Sequence, residues 1–531
     1  MRLQPVYDIA EICSRHGITE AVVCPGSRCA PLTISFSRHP QINVRTISDE
    51  RSAAFIAMGI AQQRKNPTVL ICTSGSAAYN FAPAVAEAFY QEIPLLIITA
   101  DRPTEWIGQR DGQTIAQQNI YGAHVKSFYQ LPEGYSHADA TWSFYRQVNE
   151  AVHVASQHPQ GPVHINVPLR EPLYPSKDEV IAFSTHLPVI ERNESARSLS
   201  EETRGQLDSL LNNSRRILVV AGQLATDSEL LYELKTFSEL FHAPIVGDVN
   251  SNVHTLNSAI LRSDSFLNGV SGEELEKLRP DFLITIGKST VSKNLKLFLR
   301  KYKSAHHWHV EESDTRIIDP FQSLTKVVSL NPADFFTAAN TTTPSHRDEA
   351  YLSHWRKREQ TTKEKIDQFF QQTPVSEFNW VQKALQFLPK NANLHLANSL
   401  AVRYANWVGL AATEGVEVFC NRGTSGIDGC TSTAVGHSLA TSKLNVLITG
   451  DQAFFYDRNA FWNNYNTPNL RVLLLNNHGG AIFGVIDGPG KLPELNEYFI
   501  TRQPSTAEHL AREFLLDYTK IDAQKTYDEV A

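Results

Sequence analysis

Four nearly continuous apolar runs punctuate the first third of the chain: ITEAVVCPGS, PTVLICTSGSAA, IPLLIITADRP and GPVHINVPL. A strand exposed on one face alternates apolar and polar residues; these do not, so both of their faces must be covered. Helical patterns fill the intervals, which predicts α/β architecture with parallel sheets and helices on both sides. The pattern recurs twice. RILVVAGQL, APIVGDVNS, PDFLITIGKS and HHWHVEES form a second series, and ANLHLANS, VEVFCNRGTSG, KLNVLITGDQAFF and LRVLLLNNHGG a third. The charged stretch SHRDEAYLSHWRKREQTTKEKIDQFFQQ between them reads as a solvated linker helix. The expected division is 1–184, 185–345, a linker over 346–374, and 375–531. The third series shows no apolar run after Thr519 to match GPVHINVPL, so either its sheet lacks a last strand or the chain stops short.

A chain of 531 residues accommodates about three domains of ordinary size. The net charge of −7 offers no broad basic field for nucleic acid, so anionic substrates must be met by local Arg and Lys. No apolar run reaches the roughly 18 residues a membrane span needs, and the N-terminal MRLQPVYDIAEICSRHG reads as a helix rather than a signal peptide. The six cysteines form no CxxC pair and are expected to be reduced, buried thiols of a cytoplasmic protein.

Chemistry concentrates at strand ends. Asp451 follows the run VLITG; Asn477 and Gly479 follow VLLLN. If those strands are neighbours, the three residues converge where open parallel sheets bind ligands. A carboxylate, a carboxamide oxygen and a backbone carbonyl, completed by diphosphate and water, suit a hard divalent ion such as Mg²⁺. The competing reading is turn chemistry closing ordinary strands. HHWHV at 306–310 lacks a carboxylate at ligand spacing and reads as structural histidine. GHSLA is not a nucleophile elbow, and VVAGQLATDSEL lacks the glycines of a dinucleotide site.

The GD…NN arrangement resembles the diphosphate motif of thiamine-diphosphate enzymes, although GDQ stands here where that motif has GDG. With CPGSR, SDERSAAF, TSGSAAYNFAPAVAEA, TADRP, NSLAVRY, NRGTSGIDG and NNHGGAIF, the chain resembles the MenD family of 2-succinyl-5-enolpyruvyl-6-hydroxy-3-cyclohexene-1-carboxylate synthases over about residues 1 to 520. The resemblance implies a pyrimidine-binding first domain, a Rossmann-like central domain and a diphosphate-binding last domain. It also implies a homodimer or homotetramer with its active site at a subunit interface. The implied reaction is decarboxylation of 2-oxoglutarate on thiamine diphosphate, followed by conjugate addition of the succinyl-semialdehyde carbanion to isochorismate in menaquinone biosynthesis.

The same resemblance makes Glu50 the carboxylate that activates the cofactor, although alone it reads as a helix N-terminal charge. It places Ser74, Ile427, Gly450 and Gln452 against the cofactor, Ile427 propping its bend, and Asp451, Asn477 and the Gly479 carbonyl on Mg²⁺ or Mn²⁺. Arg28, Arg102, Gln113 and Lys293 fall at isochorismate-side positions; Ser399, Arg403 and Arg422 fall near the group derived from 2-oxoglutarate. Both substrates are dicarboxylates, for which arginine is the fitting partner. Asn294 stands beside Lys293 where some members carry a second cation. An acetolactate-synthase-type carboligase would share Glu50 and the metal motif without needing so many arginines, and a non-catalytic homologue is the remaining alternative.

Overall fold

The computed structural model describes residues 3–176, 179–193, 197–312, 316–345, 348–411, 413–486 and 488–521. Its first sheet contains β1 (Glu20–Val23), β2 (Asn43–Thr46), β3 (Thr68–Cys72), β4 (Leu95–Asp101), β5 (Phe128–Gln130) and β6 (Val163–Pro168), in the order β2-β1-β3-β4-β6-β5. The second contains β7 (Ile217–Ala221), β8 (Ile245–Gly247), β9 (Ala259–Ile260), β10 (Phe282–Ile286), β11 (His306–Glu311) and β12 (Lys326–Ser329), ordered β12-β11-β10-β7-β8-β9. A third sheet has four strands, β13 (Asn393–Leu396), β14 (Glu417–Phe419), β15 (Asn445–Gly450) and β16 (Leu470–Leu475). The registered pairs are parallel throughout, as the unalternating apolar runs require.

The apolar runs became β1, β3, β4, β6, β7, β8, β10, β11 and the four strands of the third sheet. The short strands β5, β9 and β12, which no apolar run announces, all lie at sheet edges. An edge strand is covered less and is held by its pairing partner, so its sequence carries a weaker signal. Whether a further strand follows Thr519 falls mostly on residues outside those described.

The chain gathers into two compact units. One comprises residues 1–194, 421–479 and 503–516; the other comprises 195–420, 480–502 and 517–531. In the first, the Glu50–Arg64 helix packs on the Cys430–Ala440 helix. The contact is backbone to backbone. A Cβ on Gly59 would lie 2.2 Å from the Thr433 carbonyl oxygen, and one on Gly436 2.2 Å from that of Ile56. Ala53, Ala54, Ala57 and Ala61 are buried on the first of these helices, and Ala434 and Ala440 on the second.

In the second unit, the Glu349–Gln372 helix is not solvated along its whole length. Its first turns bury Tyr351, Leu352 and Trp355, and Glu359 pairs with Arg262 at 2.5 Å; only its later turns are largely exposed. Two of the three histidines of β11, His307 and His309, are buried. Thr285 lies between His307 (3.0 Å) and His309 (2.9 Å), and burial pushes His307 down to about 4. Among the described residues, no three His, Cys, Asp or Glu side chains cluster as a metal site, and no helix is long and apolar enough to cross a membrane. All six cysteines are buried, and none forms a disulfide.

Candidate active site

The loops after β1, β3, β4 and β6 close over one end of the first sheet, and four of the expected residues sit on them. Arg28, buried, donates from Nη1 to the Leu169 carbonyl at 2.8 Å and lies 3.6 Å from Glu171. Its loop rests on Thr73: a Cβ on Gly26 would fall 2.4 Å from the Thr73 Cβ, so glycine is required there. Thr73 and Ser74 follow β3, and their hydroxyls are buried without a hydrogen-bond partner in the described chain. Buried hydroxyls are normally satisfied, so an orphaned pair at a sheet mouth fits a bound polar ligand.

Arg102 leaves the end of β4. It donates to the Gly112 carbonyl at 2.8 Å and reaches Asp111 at 3.4 Å, so it holds the loop that carries Gln113. Gln113 takes a positive φ of 55° and packs its backbone against Gly75, whose Cβ would lie 3.2 Å away. Behind these loops runs a buried polar chain that sequence reading did not anticipate. Gly75 N–H donates to Gln117 (2.8 Å), Gln117 to Asn166 (3.0 Å), and Asn166 to Asp101 (2.7 Å). Burial raises the Asp101 carboxyl against the opposing bonds from Asn166 and the Arg102 amide.

Glu50 does not end a strand. β2 stops at Thr46, Asp49 caps the helix through the amides of Arg51 and Ser52, and Glu50 is the first helical residue, half-buried. Because Asp49 already satisfies those amides, Glu50 is not needed for capping. Its charge is felt at the strand ends: the Cys24 and Cys72 thiols are raised well above their ordinary value, by burial first and by Glu50 in addition. The helix start is tied down by Asn459, which donates to Asp49 at 2.6 Å, and by Arg51, which donates to the Tyr456 carbonyl at 2.8 Å.

β15 and β16 are neighbours in register from Asn445↔Leu470 to Gly450↔Leu475. Asp451 and the Asn476-Asn477 pair therefore leave adjacent strands at the same end. Asp451 is buried at the start of the Asp451–Tyr456 helix, and its carboxylate accepts from Gln503 at 2.7 Å. Gln503 also reaches Asn476 (3.3 Å), and Asn476 donates to the Ser505 carbonyl (3.0 Å), binding this corner together. Asn477 is half-buried, and Gly479 follows a left-handed His478 at φ 62°. Nothing lies within 4 Å of where a Gly450 Cβ would stand, so the helix start that Gly450 and Gln452 flank is open to approach. One carboxylate with amide and carbonyl oxygens is a hard-cation donor set that phosphate oxygens can complete, and a helix start welcomes those same oxygens.

Arg422 and Ile427 ride on the loop between β14 and the Cys430–Ala440 helix. Ile427 is a large apolar side chain left 37% exposed. Glu87, which sequence reading passed over, anchors this loop. Buried on the Ala82–Gln91 helix, it accepts from the amides of Gly423 (2.7 Å) and Thr424 (2.6 Å) and from the Thr424 hydroxyl (2.5 Å). A lone acid in the alanine-rich AVAEAFYQ was the available signal, since a buried carboxylate demands partners.

Three expected residues belong to the other unit. Lys293 is exposed at the first position of the Lys293–Lys301 helix, where the helix dipole disfavours a cation. Asn294 is committed to Asp264, donating from its side chain to the Asp264 carbonyl at 2.8 Å and from its amide to the carboxylate at 2.9 Å. Ser399 stands at the N-cap position of the Leu400–Val408 helix at φ 74°, ψ −127°, a conformation costly for any residue but glycine; its side chain makes no capping bond, and its carbonyl accepts from Arg403 at 2.6 Å.

A family model described as "Thiamine pyrophosphate enzyme, N-terminal TPP binding domain" matches residues 7–127, and one described as "Middle domain of thiamine pyrophosphate" matches residues 185–396. The 2-succinyl-5-enolpyruvyl-6-hydroxy-3-cyclohexene-1-carboxylate synthase of Cytophaga hutchinsonii is 48% identical over 526 residues, spanning 97% of this chain and 91% of its own. Proteins of the same name from Flavobacterium johnsoniae and Bacteroides fragilis are 40% and 37% identical, over 98% and 99% of this chain and 92% of each relative.

Proposed function

Because the chain belongs to the 2-succinyl-5-enolpyruvyl-6-hydroxy-3-cyclohexene-1-carboxylate synthase family, we propose that it joins 2-oxoglutarate, after decarboxylation, to isochorismate with thiamine diphosphate as cofactor. The observation that carries this reading is the adjacency of β15 and β16, which sends Asp451 and Asn477 out of neighbouring strand ends beside an open helix start. In this reading Asp451, Asn477 and the Gly479 carbonyl hold Mg²⁺ or Mn²⁺, and Gly450 and Gln452 border the diphosphate. Glu50 would hold or release a proton on the aminopyrimidine side of the cofactor, Ser74 would supply an unsatisfied hydroxyl to the same ligand, and Ile427 would pack against it. When bound, the cofactor supplies the electron sink for decarboxylation.

Protein side chains orient the two dicarboxylates. Arg28, Arg102, Gln113 and Lys293 are assigned to isochorismate; Ser399, Arg403 and Arg422 are assigned to 2-oxoglutarate. Arg28 and Arg102 each spend part of their five N–H donors on backbone carbonyls, which fixes the guanidinium plane before substrate arrives. Residues 1–184 act as the pyrimidine-binding domain and 375–531 as the diphosphate-binding domain, meeting across the subunits of a cytoplasmic homodimer or homotetramer.

The test is to incubate purified protein with thiamine diphosphate, Mg²⁺, 2-oxoglutarate and isochorismate and to follow product by mass spectrometry. Carbon dioxide release from pyruvate serves as the control. Product that disappears on chelation and returns with Mg²⁺ or Mn²⁺ supports the reading, and turnover of pyruvate in preference to 2-oxoglutarate refutes it.

A further inference from the structure

We propose that Asp248 and Asp264 form a two-carboxylate clamp that positions Lys293 for the acceptor substrate; this deepens the reading above and rests on its assignment of Lys293. Asp248 follows β8 and is almost completely buried. One of its oxygens accepts from the amides of Val291 (2.5 Å) and Ser292 (2.9 Å), and the other accepts from the Asn406 side chain (3.2 Å). Asp264 lies on a different element, the short Ser263–Phe266 helix. One of its oxygens accepts from the Ser292 hydroxyl (2.7 Å) and the Asn294 amide (2.9 Å), and the other accepts from Trp407 Nε1 (3.1 Å).

The amides on either side of Lys293 are thus each gripped by a carboxylate. The same two carboxylates reach consecutive residues, Asn406 and Trp407, on the Leu400–Val408 helix, which begins at Ser399 and carries Arg403. Asn406 returns a bond of its own, accepting from the Val249 amide at 2.9 Å.

Capping alone does not account for this. Ser292 already caps the Lys293–Lys301 helix, its hydroxyl accepting from Leu295 N–H at 3.0 Å. Desolvating a carboxylate is costly unless several donors meet it, and here a buried one, Asp248, and a half-buried one, Asp264, are brought to one helix start. They stand where the helix end is positive and where a lysine adds a further positive charge. Two acids at that point offset the penalty of presenting an exposed Lys293 from a helix N-terminus. They also fix Lys293 relative to the helix assigned to the donor substrate, so that acceptor and donor groups share one rigid frame within this unit.

Steady-state kinetics of the full-length protein, varying each substrate in turn, test the clamp. Asp264→Asn turns one accepting oxygen into a donor facing a donor. It should raise the KM for isochorismate about five- to fiftyfold while the KM for 2-oxoglutarate stays within about twofold. In a Lys293→Ala background, adding Asp264→Asn should change the isochorismate KM by less than about twofold, because the clamp acts through that lysine. Full multiplication of the two effects, or equal shifts in both KM values, overturns the proposal. Trp407→Phe keeps both amide contacts and removes only the tether; it should shift the isochorismate KM about two- to fivefold in the same direction, and it answers the question if Asp264→Asn does not fold. Amide hydrogen exchange over residues 290–296 gives a reading independent of turnover. Exchange about tenfold faster in the Asp264→Asn protein supports the clamp, and unchanged exchange removes it. A wild-type protein that makes no product counts against the assigned reaction instead.

Discussion

The carboxylate of Glu87 accepts from the backbone amides of Gly423 and Thr424 across more than three hundred residues of sequence. Those amides follow Arg422 directly, so a buried acid in the alanine-rich Ala82–Gln91 helix sets the loop from which Arg422 and Ile427 project. Glu87→Gln replaces an accepting oxygen by an NH₂ group facing a donor. The expected cost is about 1–3 kcal/mol of stability, visible in denaturant titration, with the KM for 2-oxoglutarate raised about tenfold. Arg422→Ala should raise the same KM by at least about tenfold, the loss that follows from its proposed contact with a substrate carboxylate. A Glu87→Gln protein less stable but with unaltered KM would separate the anchor from the site.

Glu50 begins a helix that Asp49 already caps, which frees its carboxylate for chemistry. Glu50→Gln should retain thiamine diphosphate binding, followed by calorimetry, while turnover falls about 10²- to 10⁴-fold, the range for loss of a positioned proton-transfer group. Wild-type rates in this variant would remove the assignment.

Gly59 and Gly436 let two helices meet with backbone in contact. Gly436→Ala would drive a methyl group into the Ile56 carbonyl, and neither backbone has room to retreat. The expected loss is about 1–3 kcal/mol or more, read as a lowered Tm and a lower yield of soluble protein. Gly450→Ala, at a position facing open space, should leave stability nearly unchanged and serves as the control.

Asp457 is fully buried beneath the Cys430–Ala440 helix, where it accepts from the Ser432 amide (2.6 Å) and hydroxyl (2.7 Å). Burial pushes its carboxyl up to about 7 from an ordinary 3.8; the bonds from Ser432 and the charge of Arg51 oppose this, and the charge of Asp428 adds to it. Between those two values the unfolded chain has released this proton while the folded protein keeps it. The stabilising contribution is therefore complete below about pH 4 and is lost as pH rises through about 7. Asp457→Asn mimics the protonated form, so its Tm relative to wild type should climb from pH 5 to pH 8; a pH-independent difference would contradict the raised carboxyl.

Much of this protein is legible in its residues without coordinates. Unalternating apolar runs require strands covered on both faces, and of twelve such runs ten became interior strands of three parallel sheets and two, β14 and β16, edge strands. Strand ends carry the turn residues and charges, so Arg28, Arg102, Asp451 and Asn477 could be placed at strand ends from pattern, whereas Ser74 was implied only by the family resemblance. Composition and local periodicity carry no information about which distant segments become neighbours. For that reason edge strands such as β5 and β12, held by partners rather than by their own burial, escaped notice. Glu87 beneath the Arg422 loop, Gln503 on Asp451, and Asp248 with Asp264 around Lys293 were likewise invisible. Each is a buried or half-buried polar group whose partners are fixed only when the chain closes, because satisfying a desolvated carboxylate depends on three-dimensional donors rather than on sequence neighbours. Sequence thus determined the sheets and the chemistry at their mouths; tertiary structure decided what holds that chemistry in place.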